Sequence, residues 1–224
     1  MSRREAKTAL YEQFARVGKG LSSPKRLELL DLLSQGERSV ESLATEAGLG
    51  LSTASMHLQA LKESGLVATR RSGTSIRYRI KGEDVAALFA MLRNVATAHL
   101  AEAERAKESY LGQHPSDTTE VMSREKLLDS MRAGEVVVLD VRPALEFEAG
   151  HVPGALSVPM SQLSEFISTI QEDLDVVVYC RGAYCVLAYD AVKALNKKGL
   201  HARRLQEGML EWRLAGLPVE NSVA

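Results

Sequence analysis

Cysteine is nearly absent from this 224-residue chain: there are two, Cys180 and Cys185, five positions apart. No disulfide framework braces such a fold, and the chain reads as one from a reducing compartment, the cytoplasm. Uncharged apolar stretches approaching ~20 residues are missing as well, so no helical membrane span is expected. The opening MSRREAKTAL has no apolar run behind its charges, which is not the pattern of a secretory signal. A strong net charge is lacking too, but the formal value of −1 hides an asymmetry. Residues 1–115 carry 17 Lys/Arg against 13 Asp/Glu, and residues 116–224 carry 11 against 16. What the chain has in quantity is apolar material, 45% of its residues, enough for one large or two small cores. The charge split favours two.

The first half is helical in its periodicity. Leu10, Phe14, Val17 and Leu21 recur on one helical stripe. Ser23-Pro24 then reads as an N-cap with proline at the first helical position, Leu27, Leu30 and Leu33 form the next stripe, and Gly36 closes it. A short helix near Val40–Ala47 stops at Gly48, and Ser52 is placed to cap a fourth helix running to about Glu63. Short helix, tight turn, helix is the helix-turn-helix pattern. On the fourth helix Ala54, Leu58 and Leu61 share the inward face. Ser52, Met56 and Gln59 then point outward, with Thr53 and Ser55 on the shoulders. That outward face is small, polar and uncharged, which suits a helix entering a major groove. His57, at the edge of the buried stripe, either orients the helix from a half-buried position or contacts base or phosphate.

Next, Leu66–Arg70 and Ile76–Ile80 flank a Ser72-Gly73-Thr74 turn, a hairpin whose Ile76, Tyr78 and Ile80 alternate with Arg77 and Arg79. Arg70, Arg71, Arg77, Arg79 and Lys81 put five positive charges and no carboxylate into twelve residues. Directly after a helix pair, such a hairpin is a wing for phosphates or the minor groove. KGLSSPKRLELLDLL followed by SVESLATEAGLGLSTASMHLQALKESGLVATRRSGTSIRYRI resembles the winged helix-turn-helix repressors of the arsenic-repressor (ArsR) family over about residues 10–82. Ser55, His57 and Leu58 carry the most specific part of the likeness. The resemblance implies a homodimer on a double-stranded DNA operator, often paired through the first and last helices. The last helix, about Glu83–Leu111, offers Val85, Leu88, Leu92, Val95 and His99 as a seam. Many such repressors sense metals through cysteine pairs, but this half has no cysteine, and His57, His99 and His114 lack paired ligand spacing. No metal or cofactor is expected, and the signal must enter elsewhere.

Residues 112–120, GQHPSDTTE, read as the linker between a domain 1–111 and a domain 121–224. Beyond it, Val136–Val141 and Val176–Cys180 are continuous apolar runs suited to strands buried on both faces. Helical segments lie near Ser123–Arg132, Ser161–Ile170 and Cys185–Lys198. The alternation predicts a small α/β domain with a mostly parallel sheet. Its functional edge should be the carboxyl end of a strand, where Cys180 sits before RGAYC and a helix. Loop amides and the helix N-terminus there are expected to lower the thiol pKa, with Arg181 as a cation for an anionic donor. A buried core cysteine is the plainer alternative.

LLDSMRAGEVVVLDVRPALEFEAGHVPGALSVPM, VVVYCRGAYC and LQEGMLEWRLAGLPVE are similar to a single rhodanese domain over about residues 121–220. Asp140, Arg142, Glu146, Phe147, Gly150, His151, Gly154 and Ala155 carry the long signature. The resemblance implies that Cys180 accepts sulfane sulfur as a persulfide, cradled by Arg181, Gly182, Ala183, Tyr184 and Cys185, with Asp140 and Arg142 bracing the site. His151 and Trp212 read as structural. Rhodaneses commonly place arginine and then Ser or Thr where this chain has Cys185 and Val186. Cys185 is either a resolving thiol or a small residue at the helix start. Together these readings give an α+β winged helix-turn-helix domain followed by an α/β rhodanese-like domain. They describe a DNA-binding repressor that senses or transfers sulfur from a small sulfur donor. An active sulfurtransferase with an accessory DNA-binding domain is the alternative. Arsenate reduction is a third, against which the short loop without a terminal arginine argues.

Overall fold

The computed structural model describes residues 1–111, 120–170 and 175–221, and the chain packs as two compact units, Met1–Met91 and Leu92–Ala224. The expected linker 112–120 lies outside the described residues apart from Glu120.

In the first unit, α1 (Arg3–Leu21) is closed at its start by a reciprocal Ser2–Glu5 capping box. It is followed by α2 (Pro24–Gln35), whose proline stands at the first turn and whose chain leaves at Gly36. Strand β1 (Arg38–Ser39) leads into α3 (Val40–Glu46), where Ser39 accepts from the Ser42 amide. Gly48, with φ of +60°, then makes the turn into α4 (Leu51–Glu63). The N-cap of α4 is Gly50 rather than Ser52, which sits within the first turn. Leu29, Leu30, Leu43, Ala54, Leu58 and Leu61 are wholly buried and join α2, α3 and α4. Strands β2 (Val67–Ser72) and β3 (Ser75–Ile80) pair antiparallel with Ser72 opposite Ser75, and β1 pairs antiparallel on the other side of β3. Tyr78 is buried but Ile76 is 51% exposed: the hairpin runs past the core, so only its base can bury the apolar face.

Helix α5 (Glu83–His99) buries Val85, Phe89 and Ala90 and leaves Leu88, Met91 and Val95 exposed. The single last helix read from the sequence is two, because the chain breaks at Leu100 before α6 (Ala101–Leu111). On α1, Leu10, Tyr11 and Phe14 are also exposed in the single chain.

The sheet of the second unit is built from β4 (Val121–Met122), β5 (Val136–Asp140), β6 (Leu156–Ser157), β7 (Asp175–Tyr179) and β8 (His201–Leu205). Their order is β4-β8-β7-β5-β6, every pairing is parallel, and the valine-rich β7 is central. Helices α7 (Arg124–Ala133), α8 (Ala144–Glu148), α9 (Leu163–Thr169), α10 (Val186–Lys197) and α11 (Met209–Leu214) connect or follow the strands. Two cores result. One gathers Val176, Val178, Ala188, Ala191, Val192 and Leu195 under α10, and the other gathers Leu127, Val177, Tyr179, Met209 and Trp212. After β5 the chain adds β6 on one side, then returns past β5 to add β7 and β8 on the other. Ligand crevices of open parallel sheets form at such a reversal, beyond the carboxyl ends of the strands. Cys180 is the first residue after β7.

Replacing Leu58 by Ala removes a wholly buried side chain shared by the helix pair and is expected to cost about 2–5 kcal/mol. Hydrogen exchange should show lost protection in α2–α4, with the second unit unchanged.

Candidate functional site

Each residue singled out on α4 falls on the face its spacing gives. Ser52, Thr53, Met56 and Gln59 are exposed, Ser55 and His57 are half-buried, and Ala54, Leu58 and Leu61 are buried. Gln59 Nε2 also donates to the Tyr78 hydroxyl at 3.2 Å and so ties the helix to the wing. Of the wing arginines, Arg70 is claimed by Glu37 through two hydrogen bonds at 2.5 and 3.2 Å. Arg71 bonds the Gly73 carbonyl across the turn, Arg79 bonds the neighbouring Ile80 carbonyl, and Arg77 faces Arg70 across the hairpin. The turn itself is tight, with Gly73 at φ +60°.

In the second unit, the carboxyl ends of β5 and β7 meet over a buried network of charge. Asp140 is wholly buried and receives Arg142 Nε at 2.9 Å, Arg142 Nη2 at 2.6 Å and the Tyr179 hydroxyl at 2.6 Å. Arg142 Nη2 also donates to the Gly150 carbonyl at 2.8 Å. The Tyr179 oxygen in turn accepts from the Val152 amide at 3.1 Å. Burial together with the Asp140 charge pushes the Tyr179 phenol far up, so it stays a donor. His151 stacks on Phe147 and donates from Nδ1 to its carbonyl, and Trp212 Nε1 donates to the Pro218 carbonyl. Both are buried.

The loop Cys180–Cys185 closes above this network. The Arg181 guanidinium does not reach toward the sulfur: it forks onto the buried Glu146 carboxylate at 2.6–3.0 Å. The backbone on either side of it is pinned by the start of α11, with the Met209 amide donating to the Cys180 carbonyl and the Leu210 amide to that of Arg181. Gly208 makes this approach possible. A Cβ there would stand 2.3 Å from the Gly182 nitrogen and 2.6 Å from the Cys180 carbonyl oxygen. Glu211 accepts from the Gly208 amide at 3.0 Å and from Arg93 Nη2 at 2.6 Å, and the Tyr184 ring lies over the Arg93 guanidinium. Gly182 and Ala183 complete the loop, and Cys185 is the N-cap of α10.

The two cysteines pack together. Cys180, 3% exposed, has its Sγ 3.4 Å from the Cys185 carbonyl oxygen and 3.8 Å from that of Gly182, either of which can accept its one S–H, and Cys185 packs against the same core cluster. Burial pushes the Cys180 thiol up, and the hydrogen bond and charge of Cys185 add to this. For Cys185, half-buried, the Cys180 hydrogen bond lowers the thiol against the opposing effect of burial. The nearby amides of Leu187 and Arg181 and the Arg181 charge lower it further. This reverses the sequence expectation of a lowered Cys180, because the loop amides that favour a thiolate do not outweigh the loss of water around a sulfur in the core.

Sequence reasoning missed Glu146 as the partner of Arg181, and Gly208, Glu211, Arg93 and Tyr179 altogether. A signal existed for two of them: Gly208-Met-Leu-Glu211 has the spacing of a glycine N-cap with its N3 carboxylate.

A helix pair with a basic wing in one unit, and a thiol loop at the carboxyl edge of a parallel sheet in the other, define a DNA-binding regulator joined to a rhodanese-like module. The description "Bacterial regulatory protein, arsR family" matches residues 23–69, and "Rhodanese-like domain" matches residues 123–215. The chain is 52% identical over 216 residues to the HTH-type transcriptional regulator Rv0324 of Mycobacterium tuberculosis, covering 96% of this chain and 94% of that one. It belongs to the ArsR-family transcriptional regulators that carry a C-terminal rhodanese-like domain. It is also 34% identical over 86 residues, 38% of this chain and 78% of the other, to a protein of Allochromatium vinosum named sulfurtransferase. Among solved structures, a Mycobacterium bovis fragment described as a homodimeric winged helix-turn-helix DNA-binding domain, Mb0332, is 57% identical. The match covers 46% of this chain and 93% of that one, with a TM-score of 0.42.

Gly208→Ala is expected to overpack the loop at a cost of about 1–3 kcal/mol and to expose Cys180. The checks are a lowered thermal midpoint of the second unit and faster alkylation of Cys180 by mass spectrometry.

Proposed function

We propose that the chain acts as a homodimeric repressor on a double-stranded DNA operator and senses or transfers sulfane sulfur through a persulfide on Cys180. Residues 1–111 serve binding and dimerisation, residues 121–224 handle sulfur, and 112–120 link them. The observation that carries this reading is a buried thiol at the carboxyl end of the central strand, in the same chain as a winged helix. An interior sulfur with loop carbonyls and amides around it can hold a sulfane sulfur away from water and competing thiols. The exposed apolar residues Leu10, Tyr11 and Phe14 on α1, and Leu88, Met91 and Val95 on α5, support a dimer, since a monomer gains nothing by leaving them in water. Helix α5 is a covalent route for the message, its first half belonging to one unit and its second half to the other. Coupling requires that sulfur loading favour one DNA-binding state over the other by a real difference in free energy.

Operator affinity at fixed salt, before and after treatment with polysulfide, should change for the wild type and stay constant for Cys180→Ser. Equal affinity in all four measurements would end the sensing reading. The likeness to a protein named sulfurtransferase favours a second reading, catalytic transfer. Turnover of thiosulfate with a cyanide acceptor, abolished in Cys180→Ser, would establish it. For the DNA-binding face, Arg77→Ala and Arg79→Ala should each weaken binding to all sequences. Each should also flatten the dependence of log K on log salt by about 0.9 per lost phosphate contact. Met56→Ala should instead alter sequence preference. An unchanged salt slope removes the two arginines from the interface.

A further inference from the structure

We propose that a sulfane-sulfur donor reacts first at Cys185, and that Cys185 hands the sulfur to Cys180, where it is stored. The inference rests on the reading above that Cys180 carries the persulfide, and it assigns the route by which sulfur arrives there.

Access comes first. Cys180 follows the central strand directly, is 3% exposed, and belongs to the core with Val178, Ala188 and Val192. To a donor such as a glutathione-sized persulfide, Cys180 is the less exposed of the two thiols. Cys185 is half-buried and is the N-cap of the twelve-residue helix α10. The second consideration is which sulfur is the nucleophile, since thiolates attack and thiols do not. The Cys180 S–H points at Cys185, and the nearby Leu187 and Arg181 amides and the Arg181 charge also favour negative charge on Cys185. The thiol held below its usual range is therefore the accessible one, and the one pushed up is the buried one. The third is proximity. Cys180 Sγ lies 3.4 Å from the Cys185 carbonyl oxygen, and both side chains belong to one packed cluster, so the two sulfurs are neighbours across a single loop.

The chemistry balances without an added oxidant. The Cys185 thiolate attacks the outer sulfur of a donor R–S–SH; the donor's S–S bond breaks, its electron pair leaves on R–S⁻, and Cys185–S–SH forms. Cys180 then gives up its proton and attacks the outer sulfur of Cys185–S–SH. That S–S bond breaks with its electron pair on the Cys185 sulfur, which takes the proton. The products are Cys180–S–SH and Cys185–SH, and the sulfane sulfur has moved without net oxidation or reduction. Direction follows from leaving-group strength, because the thiol of lower pKa departs faster. Cys185 is thus a good entry point and a poor resting place, and Cys180 is the reverse.

The test uses the reduced full-length chain, glutathione persulfide as probe, timed quenching with iodoacetamide, and mass spectrometry after trypsin. Cleavage after Arg181 puts the two thiols on different peptides. In the wild type, a gain of about 32 Da, one sulfur atom, should appear first on the Cys185 peptide and end on the Cys180 peptide. Cys180→Ser should trap the sulfur at Cys185, with no gain on the peptide that ends at Arg181. Cys185→Ser, in which serine keeps a good N-cap, should load Cys180 at least about tenfold more slowly. Its loading should also fall more steeply than the wild type's as pH drops from about 8 to 6, because the low-pKa thiolate is gone. Wild-type loading rate and pH profile in Cys185→Ser would overturn the relay while leaving the Cys180 persulfide standing. A wild type that goes directly to a Cys180–Cys185 disulfide would also overturn it. Failure of any thiol to gain sulfur would overturn both the relay and the reading it rests on.

Discussion

The second unit is organised around one carboxylate, Asp140, which sits wholly buried at the end of β5 and accepts from Arg142 and Tyr179 at once. A buried charge of this kind is tolerable only if it is paired and its lone pairs are filled, and losing one partner strands the other. The partners here come from three places: Arg142 from the turn after β5, Tyr179 from the end of β7, and through them the Gly150 carbonyl and Val152 amide. The network therefore fixes the two strand ends and the following turn relative to one another. Cys180 is the residue after Tyr179. Its position is set by the hydroxyl that Asp140 holds, one residue away.

The same logic explains what the loop does with its own cation. Glu146 is also buried, on the short helix α8, and needs a positive partner; Arg181 is the one it takes. The guanidinium is consequently a fastener, clamping the loop to α8 while the α11 amides clamp its backbone. Its charge still lies close enough to favour a thiolate on Cys185. With Arg181 forked onto Glu146, the amides of Leu187 and Arg181 act on the Cys185 sulfur beside that cation.

Sequence patterns carried the architecture well, because burial leaves a periodic trace. The stripe Ala54, Leu58, Leu61 and the valine runs of β5 and β7 show their faces directly, Gly36 marks the end of α2, and Gly48 and Gly73 mark real turns. The failures share a physical cause: they concern competition between neighbours that are distant in sequence. Whether Arg181 faces the sulfur or a carboxylate depends on Glu146, 35 residues earlier. Whether Cys180 or Cys185 is the easier thiolate depends on the depth of the pocket, which composition does not encode. Ile76 alternates correctly with Arg77 yet is left exposed, because it pairs with Arg71 next to the turn, away from the base of the hairpin. The break at Leu100 has no glycine or proline to announce it.

In the first unit a single hydroxyl has a role parallel to that of Asp140. Tyr78 is buried to 1% and takes the Gln59 amide on its oxygen, joining the middle of β3 to the outward face of α4. The strand register then places Arg77 and Arg79 on either side of that anchor. That hydrogen bond thus ties the wing to α4, with Ser52, Thr53 and Met56 exposed on the helix and Arg77 and Arg79 on the face of β3 opposite Tyr78. Arg70, across from Arg77, gives much of its charge to Glu37 and so steadies the hairpin. A nearly neutral protein can bind a polyanion on this basis, because the charge that matters is local, gathered in one hairpin that a buried tyrosine ties to α4.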